Sequence, residues 1–75
     1  MKKPTNADGY RAVLRHFHKD GKAHGAKTRL QHALGVKSRQ VVDRWERYGI
    51  PMKYSQKLKE LTGMRPDEIW PENFR

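Results

Sequence analysis

Residues 32–51 read HALGVKSRQVVDRWERYGIP, and this stretch decides the fold. Gly35 follows a short run with helical spacing and offers a left-handed C-cap, and Ser38 offers an N-cap for a second run. The apolar residues of that second run fall on one arc of the helical wheel: Val41, Val42, Trp45 and Tyr48. The stretch therefore predicts two helices joined by a short turn, the second of them anchored by an apolar face.

The opposite arc of this second helix is polar throughout. Its members are Arg39, Gln40, Asp43, Arg44 and Arg47. A guanidinium can fork to O6 and N7 of guanine, an amide can pair with N6 and N7 of adenine, and a carboxylate can accept from the cytosine amine. The residues predicted to read bases are therefore Arg39, Gln40, Asp43 and Arg44. A solvated helix face is the alternative, since many charged side chains on such a face reach only phosphates.

A short helix is predicted before the turn, from about Ala26 to Leu34. Backbone N–H groups and basic side chains at the start of a helix commonly meet a phosphate. The residues predicted to contact the DNA backbone lie at the start of this helix, in the turn and at the far end of the polar arc. They are Lys27, Thr28, Arg29, Lys37, Ser38 and Arg47. For each of them, simple exposure to solvent is the alternative.

Another helix is predicted before this pair, because apolar residues recur there at helical spacing. They are Tyr10, Val13, Leu14 and Phe17. Thr5 with Asp8 resembles a capping box at its start, and Gly21 is the predicted stop. We expect the aromatic side chains of Tyr10, Phe17, Trp45 and Tyr48 to lie in the core, because they fall on apolar arcs.

Two further helices are predicted after Gly49 and Pro51. The first has Tyr54, Leu58 and Leu61 at helical spacing and ends at Gly63. Pro66 with two acidic residues then predicts a single helical turn that Pro71 limits. No alternating run of strand length occurs. The sequence therefore predicts an all-α fold, a small bundle of about five short helices containing a helix-turn-helix, with residues 1–75 as one domain.

The last ten residues combine an acidic balance with large apolar side chains that a monomer of this size would not leave in water. These side chains are Ile69, Trp70 and Phe74. Packing onto the chain's own core is the favoured interpretation, because Ile69 and Trp70 follow Pro66 by one helical turn. A contact with a second copy is the alternative.

The charge of the chain favours a polyanionic partner. Seventeen Lys and Arg against eight Asp and Glu give a net charge of +9 and a sequence pI near 10.3. Residues 1–35 carry +6, residues 36–65 carry +5 and residues 66–75 carry −2. The last ten residues are therefore expected to serve a role different from that of the basic part of the chain. A basic surface that serves only solubility is the alternative.

Other classes of protein find little support in the 75 residues. There is no cysteine, so no disulfide and no thiolate metal site, and no Ser-His-acid order or phosphate loop indicates an enzyme. His16 and His18 point about 160° to 200° apart on a helix and cannot share one ion. We expect no metal and no cofactor. No leader or apolar run of membrane length is visible, so a cytoplasmic location is the expectation.

The helix pair resembles phage Cro and related repressor N-terminal domains. The matching residues are Gly35, Val36, Ser38, Arg39, Gln40, Val42, Trp45, Ile50 and Pro51. The end of the chain, RPDEIWPENF, resembles the Ile-Trp-Pro tail of Ner-type phage regulators, so the resemblance covers roughly residues 25–75. The chain departs from the family pattern by one extra turn residue, Lys37, and by Gln31 where the family usually has alanine at the helix crossing.

This resemblance implies a regulator of transcription that binds a specific double-stranded operator and represses by occluding a promoter. It also implies two-fold operators read by dimers, although some small regulators of this kind pair only on DNA. The alternative is an antitoxin-like or other protein-interaction module that binds an acidic partner. A helical RNA-binding module is a third interpretation, which the expected lack of exposed aromatic side chains disfavours.

Overall fold

The computed structural model describes residues 3–19, 21–22 and 24–74 of the chain. These residues form five α-helices, which are α1 Asn6–Arg15, α2 Ala26–Leu34, α3 Arg39–Tyr48, α4 Ser55–Thr62 and α5 Pro66–Ile69. Two 3-10 helices, Met52–Tyr54 and Pro71–Phe74, lie before α4 and after α5. Within the described ranges the only β-type pairing is an isolated bridge between Lys19 and Lys22. The predicted all-α bundle is confirmed.

The start of α1 is fixed by the predicted capping box. Asp8 N–H donates to Thr5 Oγ1 at 3.2 Å, and Thr5 N–H donates to Asp8 Oδ2 at 2.8 Å. The backbone and hydroxyl of Thr5, with Arg11 nearby, hold the pKa of the Asp8 carboxyl below its usual 3.8. The stop predicted at Gly21 is wrong, because α1 ends at Arg15, where the chain tightens through a 2.9 Å bond from Phe17 N–H to the Leu14 carbonyl.

One hydrophobic core joins the five helices. The Trp45 ring meets the Tyr10 ring edge-on, with centroids 6.3 Å apart, and is tilted against the Tyr54 ring, with centroids 5.6 Å apart. The buried members are Tyr10, Val13, Leu30, Val42, Trp45, Ile50, Leu58, Met64, Ile69 and Trp70. The core positions predicted for Tyr10 and Trp45 are confirmed, and Phe17 packs against this cluster while only partly buried.

Three apolar residues that recur at helical spacing are exposed. Val41 is 36% exposed, Tyr48 70% and Leu61 42%. On α3 the buried stripe consists of Val42 and Trp45 alone, so Val41 and Tyr48 lie beyond the area that the neighbouring helices cover. On α4 Leu58 alone is buried, and Leu61 lies at the last turn of the helix. The core position predicted for Tyr48 is therefore wrong, and Val41 lies outside the part of the predicted apolar face that is buried.

The C-terminal segment packs onto the chain itself. Ile69 and Trp70 are each 1% exposed, and the Trp70 indole N–H donates to the carbonyl of Ile50. The predicted core role of these two residues is confirmed. Phe74, at the end of the 3-10 helix Pro71–Phe74, is 54% exposed, so the core position favoured for it is wrong.

The acidic end of the chain also contacts the start of α1. Asn6 N–H donates to Glu72 Oε2 at 2.8 Å, and Glu72 N–H donates to Asn6 Oδ1 at 3.1 Å. A carboxylate at the N-terminus of a helix is favoured because the helix dipole is positive there. The acidic balance of the last residues is thus partly explained by contacts within the chain.

The Tyr10 hydroxyl gives a first testable prediction. The residue is fully buried, and its hydroxyl has no hydrogen-bond partner in the described part of the chain. Burial, with the nearby carboxylates of Glu46 and Asp43, raises the pKa of Tyr10 to about 12. Since an unpaired buried hydroxyl costs free energy, Tyr10→Phe should leave the free energy of unfolding unchanged or raise it by about 1 kcal/mol. Urea denaturation measures this, and a clear loss would contradict the prediction.

Candidate nucleic-acid interface

The turn between α2 and α3 closes with a glycine in the left-handed region. Gly35 has φ of 69°, and its N–H donates to the His32 carbonyl at 3.2 Å. Val36 N–H donates to the Gln31 carbonyl at 3.0 Å, so the two bonds form a Schellman motif. Val36 also packs against the core. The turn is therefore fixed at its first half by two hydrogen bonds and one apolar contact.

The second half of the turn exposes two residues that were predicted to contact phosphates. Lys37 and Ser38 are both exposed. Ser38 occupies the N-cap position of α3, as predicted, but its side chain makes no capping hydrogen bond, and in this respect the prediction is wrong. Its extended backbone, with φ of −107° and ψ of 125°, starts the helix without that bond. The hydroxyl of Ser38 is thus available to an external acceptor.

The buried stripe of α3 sets the direction of its polar arc. Val42 is fully buried and Trp45 nearly so, which turns the opposite side of the helix outward. All five residues of the polar arc are exposed: Arg39, Gln40, Asp43, Arg44 and Arg47. Glu46 is exposed as well, although it is not among the residues predicted from the sequence to bind DNA. The signal that could have found it is its spacing of three residues from Asp43, which places the two carboxylates on one side of the helix.

One flank of α3 forms an ion-pair cluster with α2, here called the seam. Its members are Lys27, Thr28, Arg39, Asp43 and Glu46. Arg39 Nε lies 3.5 Å from Asp43 Oδ1, and Arg39 Nη1 donates to Thr28 Oγ1 at 3.1 Å. Lys27 Nζ contacts Glu46 Oε1 and lies 3.8 Å from Asp43 Oδ1. Two cations and two carboxylates thus offset one another, and a DNA contact at the seam would have to replace an existing bond.

The outermost residues of α3 have no such partners. The side chains of Gln40, Arg44 and Arg47 make no hydrogen bond or ion pair with the described part of the chain. Their spacing of four and three residues aligns them along the helix over about 10 Å, at 1.5 Å per residue. We call these three residues the outer stripe. Its amide and guanidinium groups can bind a ligand without breaking any internal bond.

The predicted base-reading set is therefore divided by the structure. Gln40 and Arg44 lie in the outer stripe, whereas Arg39 and Asp43 lie in the seam, bonded to each other. Arg47, predicted to contact the DNA backbone, is aligned with Gln40 and Arg44. The pairing of Arg39 with Asp43 follows from their spacing of four residues on α3. Their contacts with Thr28 and Lys27 depend on where α2 crosses α3, and a helical wheel of α3 alone does not contain that information.

The residues predicted at the start of α2 are also divided. Arg29 Nε donates to the Phe17 carbonyl at 2.6 Å, and Arg29 Nη2 donates to the His24 carbonyl at 3.1 Å. Its guanidinium therefore fastens the segment after α1 to α2, and a phosphate would compete with two carbonyls for it. Lys27 and Thr28 belong to the seam. The N-cap of α2, Gly25, has no side chain to cap the first N–H groups of the helix.

Within the described residues, no group of three or more His, Asp or Glu side chains is placed to hold a metal ion. None of the helices in these ranges has the length and apolar character that crossing a membrane requires.

Comparisons of the chain with protein-family models, with curated proteins and with solved structures found no match.

Proposed function

We propose that this protein is a sequence-specific double-stranded DNA-binding regulator of transcription. In this proposal α2 and α3 act as a helix-turn-helix, and α3 enters the major groove. The observation that carries the proposal is the outer stripe: Gln40, Arg44 and Arg47 are exposed and unpaired on one side of a helix whose other side is held in the core. The net charge of +9 suits the same polyanionic ligand.

Each residue of the outer stripe has a distinct proposed role. Arg44 donates two hydrogen bonds to O6 and N7 of guanine, and Gln40 makes two hydrogen bonds with N6 and N7 of adenine. Each such pair contributes about 1 to 3 kcal/mol of discrimination against the other bases. Arg47, at the far end of α3, contacts a base or the adjacent phosphate. Arg39 and Asp43 read bases only where the DNA replaces their mutual ion pair, so we expect smaller effects from them.

Contacts with phosphates supply most of the affinity in this proposal. Lys37 and Ser38 at the start of α3 are exposed and point to this role together with Lys27 and Thr28 of the seam. Bound in this way across a promoter, the protein would exclude polymerase and act as a repressor in the cytoplasm. Pairing of two copies on a two-fold operator, as in the Cro- and Ner-type regulators that the sequence resembles, belongs to the same proposal.

The test separates base reading from phosphate binding. An operator is selected from random-sequence duplexes with the purified protein, and binding is measured on it and on random DNA. Arg44→Ala and Gln40→Ala should each lose about 1 to 3 kcal/mol on the operator and much less on random DNA, because only the operator offers the matching base edges. Lys37→Ala is the control: it should weaken both DNAs alike and reduce the salt slope by about 0.9, since one phosphate contact is lost.

Equal losses of the outer-stripe variants on both DNAs would contradict base reading. A tight complex with an acidic protein that persists at high salt, with no preference for DNA in competition, would instead favour a protein-interaction module. Exposed Met52 and Phe74, at 43% and 54%, favour that second candidate. RNA belongs among the competitors, because Tyr48 and Phe74 are exposed aromatic residues and the expected lack of such residues is wrong.

A further inference from the structure

The exposed surface of α3 includes two apolar side chains, Val41 and Tyr48. They are 36% and 70% exposed, whereas every other exposed residue of the helix is polar or charged. Neither belongs to the core cluster, and neither has a role in the base and phosphate contacts proposed for α3. We call this pair the apolar shoulder.

The apolar shoulder borders the outer stripe. Arg44 follows Val41 by three residues and precedes Tyr48 by four, so the three side chains share one side of the helix. Tyr48 also lines a shallow surface depression with Arg44 and Arg47, whose other walls are Asp43 and Glu46. A ligand that engages Arg44 therefore meets apolar surface on either side of it.

The chemistry of this side of α3 matches the edge of a duplex better than a protein surface. Two unpaired guanidinium groups beside the shoulder, on a chain of charge +9, oppose a second copy of the same chain and favour a polyanion. Among the groups that base pairs present in the major groove, the 5-methyl of thymine is the apolar one. If Arg44 binds a guanine, the apolar side chains next to it are therefore complementary to the methyl group of a neighbouring thymine.

We propose that Val41 and Tyr48 contact the 5-methyl groups of two thymines that flank the base pair bound by Arg44. This inference rests on the proposed DNA-binding function. Seven residues of helix separate the two side chains by about 10 Å, which corresponds to about three base-pair steps of 3.4 Å. The preferred half-site therefore holds two T·A pairs about three steps apart with a G·C pair between them.

The experiment removes methyl groups from the DNA rather than side chains from the protein. In the operator selected from random duplexes, each thymine is replaced in turn by deoxyuridine, which keeps every hydrogen bond of the base pair. At two of these positions the replacement should weaken binding of the unaltered protein about fourfold, because burying one methyl or methylene group changes an equilibrium constant by about that factor. Val41→Ala should lose sensitivity to one of these positions and Tyr48→Ala to the other.

Leu61→Ala is the matched control, since Leu61 is a comparably exposed apolar residue on α4. It should leave both methyl effects unchanged. An operator that depends on Arg44 but is insensitive to every deoxyuridine replacement overturns the inference and leaves the proposed function standing. Failure to select any duplex overturns both. If Tyr48→Ala abolishes self-association in sedimentation and leaves the methyl effects intact, the shoulder is an interface between copies and the inference is wrong.

Discussion

Replacing Trp70 with alanine is expected to lower the free energy of unfolding by about 3 to 5 kcal/mol. Trp70 is 1% exposed, and its indole N–H donates to the carbonyl of Ile50, which lies two residues after the end of α3. The truncation removes the largest fully buried side chain and leaves that carbonyl without its partner. A loss of this size approaches the whole stability of a small domain.

Thermal and urea unfolding followed by circular dichroism measure this loss. Phe74→Ala is the matched control, because Phe74 is an aromatic residue of the same segment but 54% exposed, and it should change the free energy of unfolding by no more than about 0.5 kcal/mol. Trp70→Phe should fall between the two variants. A Trp70→Ala protein that melts normally as a dilute monomer yet loses cooperative operator binding would contradict the core role and make the segment an interface.

The local features of the fold were predictable because neighbouring residues determine them. Thr5 and Asp8 form a capping box through bonds within one helical turn, and Gly35 ends α2 because the left-handed region favours glycine. The burial of Trp45 and Trp70 also followed from the sequence, since so short a chain has few other side chains with which to build a core.

Features that depend on how one helix lies against another were not predictable. The helical wheel places Val41 and Tyr48 beside Val42 and Trp45, but it does not say how wide a strip of α3 the other helices cover. The other helices cover only Val42 and Trp45, so the apolar shoulder, Val41 and Tyr48, is exposed.

The candidate site shows the same limit. Its polar arc and exposure follow from the spacing on α3, whereas the pairing of Lys27 with Glu46 depends on the position of α2. The sequence therefore predicted which residue types could bind DNA. It did not predict the contacts that α2 makes with Arg39 and Asp43, whereas the bond between these two residues follows from their spacing on α3. These contacts together separate Gln40 and Arg44 from Arg39 and Asp43.

Gly9 is the position where helix packing overrides local preference most strongly. A glycine inside a helix costs about 1 kcal/mol relative to alanine, so by propensity alone Gly9→Ala would stabilise α1. However, a Cβ atom at Gly9 would lie 1.8 Å from the carbonyl oxygen of Ile69 and 2.5 Å from its carbonyl carbon. These are backbone atoms, which cannot rotate away as a side chain would.

Gly9→Ala is therefore expected to lower the free energy of unfolding by about 3 kcal/mol, the upper part of the usual range for overpacking, because α5 must move away from α1. Since Ile69 is the last residue of α5 and Trp70 follows it directly, the tryptophan fluorescence of the folded protein should change as well. Gly63→Ala is the control: Gly63 has φ of +71° but open space around it, so it should show only the 1 to 2 kcal/mol or so of left-handed strain and an unaltered spectrum. A Gly9→Ala protein more stable than the original would mean that α1 and α5 do not meet at this residue, and the burial of Trp70 would then need another explanation.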